Sequence, residues 1–102
     1  MDLRTSDNPQ RSRFEVYADD DLAGFADYRL NAGAMTITHT QTNQELQGKG
    51  VASALIRDTL DSARSRGLTV LPRCPFVSKF MQRHPEYVAL VPEAERQRFG
   101  LT

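Results

Sequence analysis

Leu46-Gln47-Gly48-Lys49-Gly50-Val51-Ala52-Ser53 decides the fold of this chain, because two glycines flank a lysine there at a change of periodicity. Upstream, Met35-Thr36-Ile37-Thr38-His39-Thr40 reads as a β-strand; downstream, Val51-Ala52-Ser53-Ala54-Leu55-Ile56 opens a helix. The first turn of a helix has backbone N–H groups without partners and carries the positive end of the helix dipole. Glycines let an anion approach that backbone closely. The segment is therefore a candidate phosphate-binding turn between a strand and a helix.

Before this turn the chain reads as an antiparallel meander. Arg13-Phe14-Glu15-Val16-Tyr17 alternates polar and apolar residues, as a half-buried strand does. Asp19-Asp20-Asp21 makes a turn; it lacks the spaced ligands and closing glutamate of a calcium loop. Leu22 to Leu30 supplies a second strand, with Gly24 as a candidate bulge. Asn31-Ala32-Gly33 is a hairpin turn, and Ala34 to Thr42 a third strand. Simple alternation puts Met35, Ile37, His39 and Gln41 on one face and Ala34, Thr36, Thr38 and Thr40 on the other. Met1 to Ser12 is polar and broken by Asn8-Pro9, so residues 1–12 are expected to form a flexible tail and residues 13–102 one small domain.

After the turn the period becomes helical. From Gly50 to Arg66 the apolar residues Val51, Ala52, Leu55, Ile56, Leu60 and Ala63 share a face, and Gly67 suits the C-terminal cap. Leu68 to Leu71 is a short apolar strand ended by Pro72. Phe76 to Arg83 reads as a second helix between Pro75 and Pro85, Tyr87 to Val91 as an extended piece, and Pro92 to Phe99 as a charged helical segment. The order β-β-β-α-β-α makes an α+β fold. A strand, crossover helix and strand give a parallel pair, so the sheet is mixed.

Thirteen basic residues balance 13 acidic ones, which weighs against a general nucleic-acid binder. No apolar run reaches the length of a membrane span, and no signal-peptide core follows Met1, so a soluble cytoplasmic protein is expected. One cysteine, Cys74, and two histidines, His39 and His84, give no basis for a structural metal site.

Gln47-Gly48-Lys49-Gly50-Val51-Ala52 fits the pattern Q/R-x-x-G-x-G/A. That pattern is the pyrophosphate motif of the GNAT superfamily of acetyl-CoA-dependent N-acetyltransferases. Further segments agree in order: His39-Thr40, Pro72-Arg73-Cys74-Pro75-Phe76-Val77 and Arg83-His84-Pro85-Glu86-Tyr87. Together they resemble the short, stand-alone N-acetyltransferase domain proteins, which hold little beyond the CoA-binding core. The resemblance spans roughly residues 13 to 91.

The resemblance implies a minimal GNAT fold that binds acetyl-CoA as acetyl donor. The pantetheine chain would lie between the strand ending at Thr42 and the strand Leu68 to Leu71, pairing near Thr40, Gln41 and Thr42. The pyrophosphate would sit on the amides of Gln47, Gly48, Lys49, Gly50, Val51 and Ala52, with Lys49 as a charge partner for phosphate. Arg83 either reaches a phosphate of the CoA or is a solvated surface residue.

Cys74 follows the strand that would flank the acetyl group. It is either a nucleophile that takes that group or a small residue lining the channel. His39 is either a base toward the acceptor ammonium or a hydrogen-bonded residue of the sheet. Phe76 and Phe80, one turn apart, read as core packing. The superfamily often places a tyrosine acid on the helix after the split strand, here the helix after Leu68 to Leu71, and no tyrosine stands there in this chain. Nor is there a helical stretch between Arg13 and Thr42, where the superfamily usually has two helices walling the acceptor site. An open acceptor side is expected, suited to a peptide or protein amine. The expected activity is acetyl transfer to an amine by a monomer or weak dimer. The rival readings are an acyl-CoA-binding module without efficient turnover and a sheet protein that serves interaction alone.

Overall fold

The computed structural model covers residues 1–102. Its sheet has five strands in chain order: β1 (Leu3–Asn8), β2 (Arg13–Ala18), β3 (Asp21–Asn31), β4 (Ala34–Thr42) and β5 (Thr69–Pro72). The first three junctions are antiparallel and β4–β5 is parallel. Helix α1 (Val51–Ser65) makes the crossover from β4 to β5, and α2 (Pro75–Arg83) follows at once. The result is the expected mixed sheet of an α+β fold.

Alternation explains the core. Phe14, Val16 and Ala18 on β2, Ala26 and Tyr28 on β3, and Met35 and Ile37 on β4 are all buried. Leu55, Ile56, Leu60 and Ala63 of α1 join the same cluster with no exposed surface. Burying each of these larger aliphatic side chains is worth roughly 1.5–3 kcal/mol. Thr59 is also buried in that face, and its hydroxyl donates to the Leu55 carbonyl at 2.8 Å.

The segment read as a flexible tail is ordered. Leu3 to Asn8 pairs along its length with Arg13 to Ala18, and Pro9–Arg11 forms a 3-10 turn between them. Asp7 accepts the Tyr28 hydroxyl at 2.6 Å and lies 3.5 Å from Arg66 of the α1 C-terminus. Polarity suggested a tail; the residues are polar because β1 is an edge strand.

Two irregularities change the expected faces. Val16 pairs with Gly24 and Tyr17 with Leu22, so the extra residue of β3 is Ala23, one position before the glycine expected to bulge. Gly24 instead answers to crowding: an added Cβ would meet the Gln41 carbonyl oxygen at 2.7 Å. On β4, Asp27 pairs with His39 and Tyr28 with Ile37, leaving Thr38 extra. One extra residue reverses the phase of all that follow. His39 and Gln41 therefore leave the face of Met35 and Ile37, and both are exposed.

Near the C-terminus, Pro85–Leu90 is a 3-10 helix, not the expected extended piece over Tyr87 to Val91. Tyr87 fixes it: its ring sits 5.9 Å from Phe80 and its hydroxyl donates to Asp61 at 2.9 Å. Pro92 to Phe99 contains a short helix α3 (Glu93–Arg96) and a 3-10 turn (Gln97–Phe99). No helix is long and apolar enough to cross a membrane.

Candidate active site

The parallel pair is short. β4 and β5 pair from Ala34–Thr69 to Ile37–Pro72 and then part. Pro72 has no N–H to extend the ladder. The Cys74 N–H still donates to the Ile37 carbonyl at 3.0 Å, and the chain then turns into α2. The rest of β4, Thr38 to Thr42, continues without a partner on that side. A wedge opens between the two strands, with its apex at Ile37.

The wedge leads to the glycine turn. A 3-10 turn, Gln44–Leu46, links β4 to it, capped by the Asn43 side chain, which accepts from the Glu45 N–H at 3.0 Å. Gly48 and Gly50 both have left-handed backbones, with φ of 83° and 81°. That conformation strains any residue with a Cβ. Gly50 is also the N-cap of α1 and has no side chain to bond the first turn. The N–H groups of Gly48, Gly50, Val51, Ala52 and Ser53 consequently find no acceptor within the chain. Unpaired N–H groups at the start of a 15-residue helix make this turn a candidate anion site.

These donors face a concavity of about 680 Å³ lined by Thr40 to Gln44, Leu46 to Gly48, Gly50 to Ser53, and Phe76. Thr40, Gln41, Thr42, Gln47, Gly48, Gly50, Val51 and Ala52, all named from the sequence, thus meet in one place. Lys49 lies between the two glycines but does not line the concavity. Phe76 corrects the sequence reading: it is 46% exposed and forms part of the wall, while Phe80 is the core residue. Leu46 and Ser53, the ends of the stretch read as the phosphate turn, line the concavity too, and Asn43 and Gln44 are further lining residues that the sequence reading does not name. The Asn43 cap is legible as an asparagine ahead of a turn; Gln44 follows only from the turn's path.

Cys74 is buried at the N-cap of α2, with Sγ 3.5 Å from the Thr40 Oγ1. His39 stands on the other face of β4, 3.5 Å from the Gln41 Oε1 and beside the Phe25 ring at 6.0 Å. The structure therefore does not bring Cys74 and His39 together on one face. Arg83, in the last turn of α2, is exposed and outside the concavity. Tyr87, the tyrosine nearest in sequence to α2, is buried and bound to Asp61, with its hydroxyl pKa raised first by burial and then by that bond.

The face of the sheet that carries His39 also holds a polar cluster. Glu15 is 6% exposed and accepts from Arg13 Nε at 2.8 Å, Tyr17 hydroxyl at 3.1 Å and Asn8 Nδ2 at 3.3 Å. Burial pushes its carboxyl up, but these bonds together outweigh burial and leave it below the usual carboxylate value. Arg13 in turn covers the Phe25 ring at 4.5 Å.

A GCN5-like protein of Staphylococcus aureus, solved by NMR, superposes with a TM-score of 0.68 at 21% identity, covering 88% of each chain. The ribosomal-protein-S18-alanine N-acetyltransferase of Escherichia coli superposes at 0.55 and 20% identity, over 57% of this chain and 38% of its own. An aminoglycoside acetyltransferase from an uncultured soil metagenomic sample gives 0.52 and 12% identity, over 76% of this chain and 53% of its own. These likenesses show the fold. The sequence profile described as GCN5-related N-acetyl-transferase matches residues 13–91. With that match added to the parted strands and the glycine turn, the chain belongs to the GCN5-related N-acetyltransferase family.

Proposed function

We propose that this protein transfers the acetyl group of acetyl-CoA to an amine presented by a peptide or protein. The observation that carries the donor is the set of unpaired N–H groups of Gly48, Gly50, Val51, Ala52 and Ser53 beside the wedge between β4 and β5, the Gln47 and Lys49 N–H groups being bound to the Gln44 and Leu46 carbonyls. The site suits the donor: left-handed glycines and first-turn amides for a pyrophosphate, and a strand with one unpartnered edge, Thr40 to Thr42, for an amide-bearing chain. Bound acetyl-CoA supplies an acyl thioester, whose carbonyl a neutral amine attacks to form an amide and release CoA thiol. The chain's part is to hold the donor along β4, to offer a backbone N–H of the parted strand to the developing oxyanion, and to accept the amine's proton. His39, exposed beside the apex, is the proton acceptor in this reading. Cys74 packs against Thr40 without lining the concavity, and Lys49, between the two glycines, adds positive charge near the phosphates.

What covers the sheet supports this acceptor class. β2, β3 and β4 connect directly, with no helix between Arg13 and Thr42. An open site orients a small amine poorly and excludes water poorly. A peptide gains contact area that a small amine lacks. The same openness, with no tyrosine on α2, favours slow turnover, which is the observation behind the second reading of an acyl-CoA-binding module.

Calorimetry with acetyl-CoA, followed by transfer assays with a lysine peptide, spermidine, a small aminoglycoside and free amino acids, tests both. Binding together with kcat/KM highest for the peptide is the expected result. Binding without transfer to any amine would select the module, and absence of binding would sink the whole reading.

A further inference from the structure

The proposed acceptor side contains charged side chains that form no ion pair in the chain; Asp27 has Arg13 as its cross-strand neighbour on β2, but that guanidinium is bound to Glu15. A concavity of about 670 Å³ on the sheet is lined by Arg11, Ser12, Asp27, Tyr28, Arg29, Leu30 and Thr38. Arg11 and Arg29 are exposed, and neither forms an ion pair; Asp27 forms none either. The position is specific. Thr38 is the extra residue of β4 and directly follows Ile37, the last residue of β4 paired with β5. Asp27 is the direct cross-strand partner of His39. Opposed residues in an antiparallel pair hold their Cβ atoms about 5 Å apart on the same face. Strand alternation puts Arg29 on that face as well. The concavity thus adjoins the apex of the wedge through Thr38 and holds two guanidinium groups and one carboxylate, Asp27, in register with His39, which stands at its edge outside the lining.

We infer that this concavity recognises an amine flanked by acidic side chains, so that the acceptor is an acidic peptide segment. Deepening the acceptor assignment above, it rests on that reading. Asp27 attracts the acceptor's ammonium and holds it next to His39 before deprotonation. Arg11 and Arg29 take carboxylates one or two residues away, where planar guanidinium groups bind them in pairs. The whole chain is neutral, so the preference comes from these local charges and not from an overall field.

The test is fluorescence anisotropy with two labelled peptides, each holding one lysine, flanked by glutamates in one and by glutamines in the other. Because the measurement needs no acetyl-CoA, it stands even if turnover fails; calorimetry with acetyl-CoA tests the donor site separately. The glutamate peptide should bind about fivefold more tightly or better, a typical return for exposed ion pairs. Added salt should shrink the difference. The double variant Arg11→Gln/Arg29→Gln should erase it, and since both residues are exposed and unpaired the variant should keep the wild-type melting temperature. Asp27→Asn should weaken both peptides alike and keep their ratio. Equal binding of the two peptides by the wild-type protein would overturn the inference. So would equally strong competition by a single-stranded oligonucleotide, which would make the site a general polyanion surface.

Discussion

The Sγ of Cys74 lies 3.5 Å from the Oγ1 of Thr40, across the gap that opens once β4 and β5 cease to pair. The contact joins β4 to the N-cap of α2, just past the end of β5, beside the proposed donor channel. The thiol is buried, and His39 is on the other face of β4, so no histidine is placed to activate it. Direct transfer needs no covalent enzyme. Cys74→Ala should therefore keep acetyl transfer within about threefold of wild type, where losing a true nucleophile costs many orders of magnitude. An acetyl-cysteine adduct that forms and decays at the turnover rate, seen by rapid-quench mass spectrometry, would prove the opposite.

Gly50 has φ of 81° and open space where a Cβ would stand. The obstacle to a side chain there is backbone conformation, not a clash. A β-branched residue would pull the turn out of the left-handed region and turn the first-turn amides away. Gly50→Val should weaken acetyl-CoA binding about tenfold or more, a loss of about 1.4 kcal/mol. Circular dichroism should still show a folded protein. Unchanged calorimetric affinity in that folded variant would remove the phosphate site from this turn.

β1 should behave as part of the fold. Deleting residues 1–8 removes the β1–β2 ladder and the bond from Tyr28 to Asp7. The milder Asp7→Asn isolates that bond and the Arg66 pair, and should cost about 1–2 kcal/mol in urea unfolding. The deletion should cost more, and a midpoint equal to wild type for the deletion would return these residues to the status of a tail.

Glu15 gives a pH dependence of known sign. Its carboxyl pKa is lowered in the fold from an ordinary 4.5, so its ionised form stabilises the protein above that ordinary value. The contribution is lost as pH falls through the lower folded value. Glu15→Gln should thus be less stable than wild type at neutral pH, and the gap should close on acidification below the ordinary value. A gap that widens toward acid would contradict the assigned bonds from Arg13, Tyr17 and Asn8.

At the alkaline end Tyr28 has the opposite linkage. Burial, then its bond to Asp7, raises its hydroxyl to about 12 from 10.0. The neutral phenol is the form the fold holds, so stability should fall as pH climbs from the ordinary value to the raised one. In ultraviolet titration Tyr28→Phe should remove the latest-ionising tyrosine. Loss of an early-ionising group instead would place Tyr28 in solvent.

The sequence by itself determined the strand meander over residues 13–42, helix α1 and the glycine turn. Each rests on a local signal: alternation, a helical stripe, or a residue type that alone accepts a left-handed backbone. The glycine signal named the turn residues that line the concavity, and the resemblance to the acetyltransferase family named Thr40, Gln41 and Thr42 of β4. Tertiary structure decided the rest. Leu3 to Asn8 has no hydrophobic face of its own and becomes a strand only because β2 offers a ladder. Thr38 carries no mark of a bulge, yet its extra length turns His39 and Gln41 away from Met35 and Ile37. Phe76 and Phe80 have the same side chain one turn apart, and only the docking of α2 sends one to the cleft and the other to the core. Asp27 and Arg29 share a face of β3, but Arg11 and Thr38 join them only through strand register, a pairing that no short window of sequence contains.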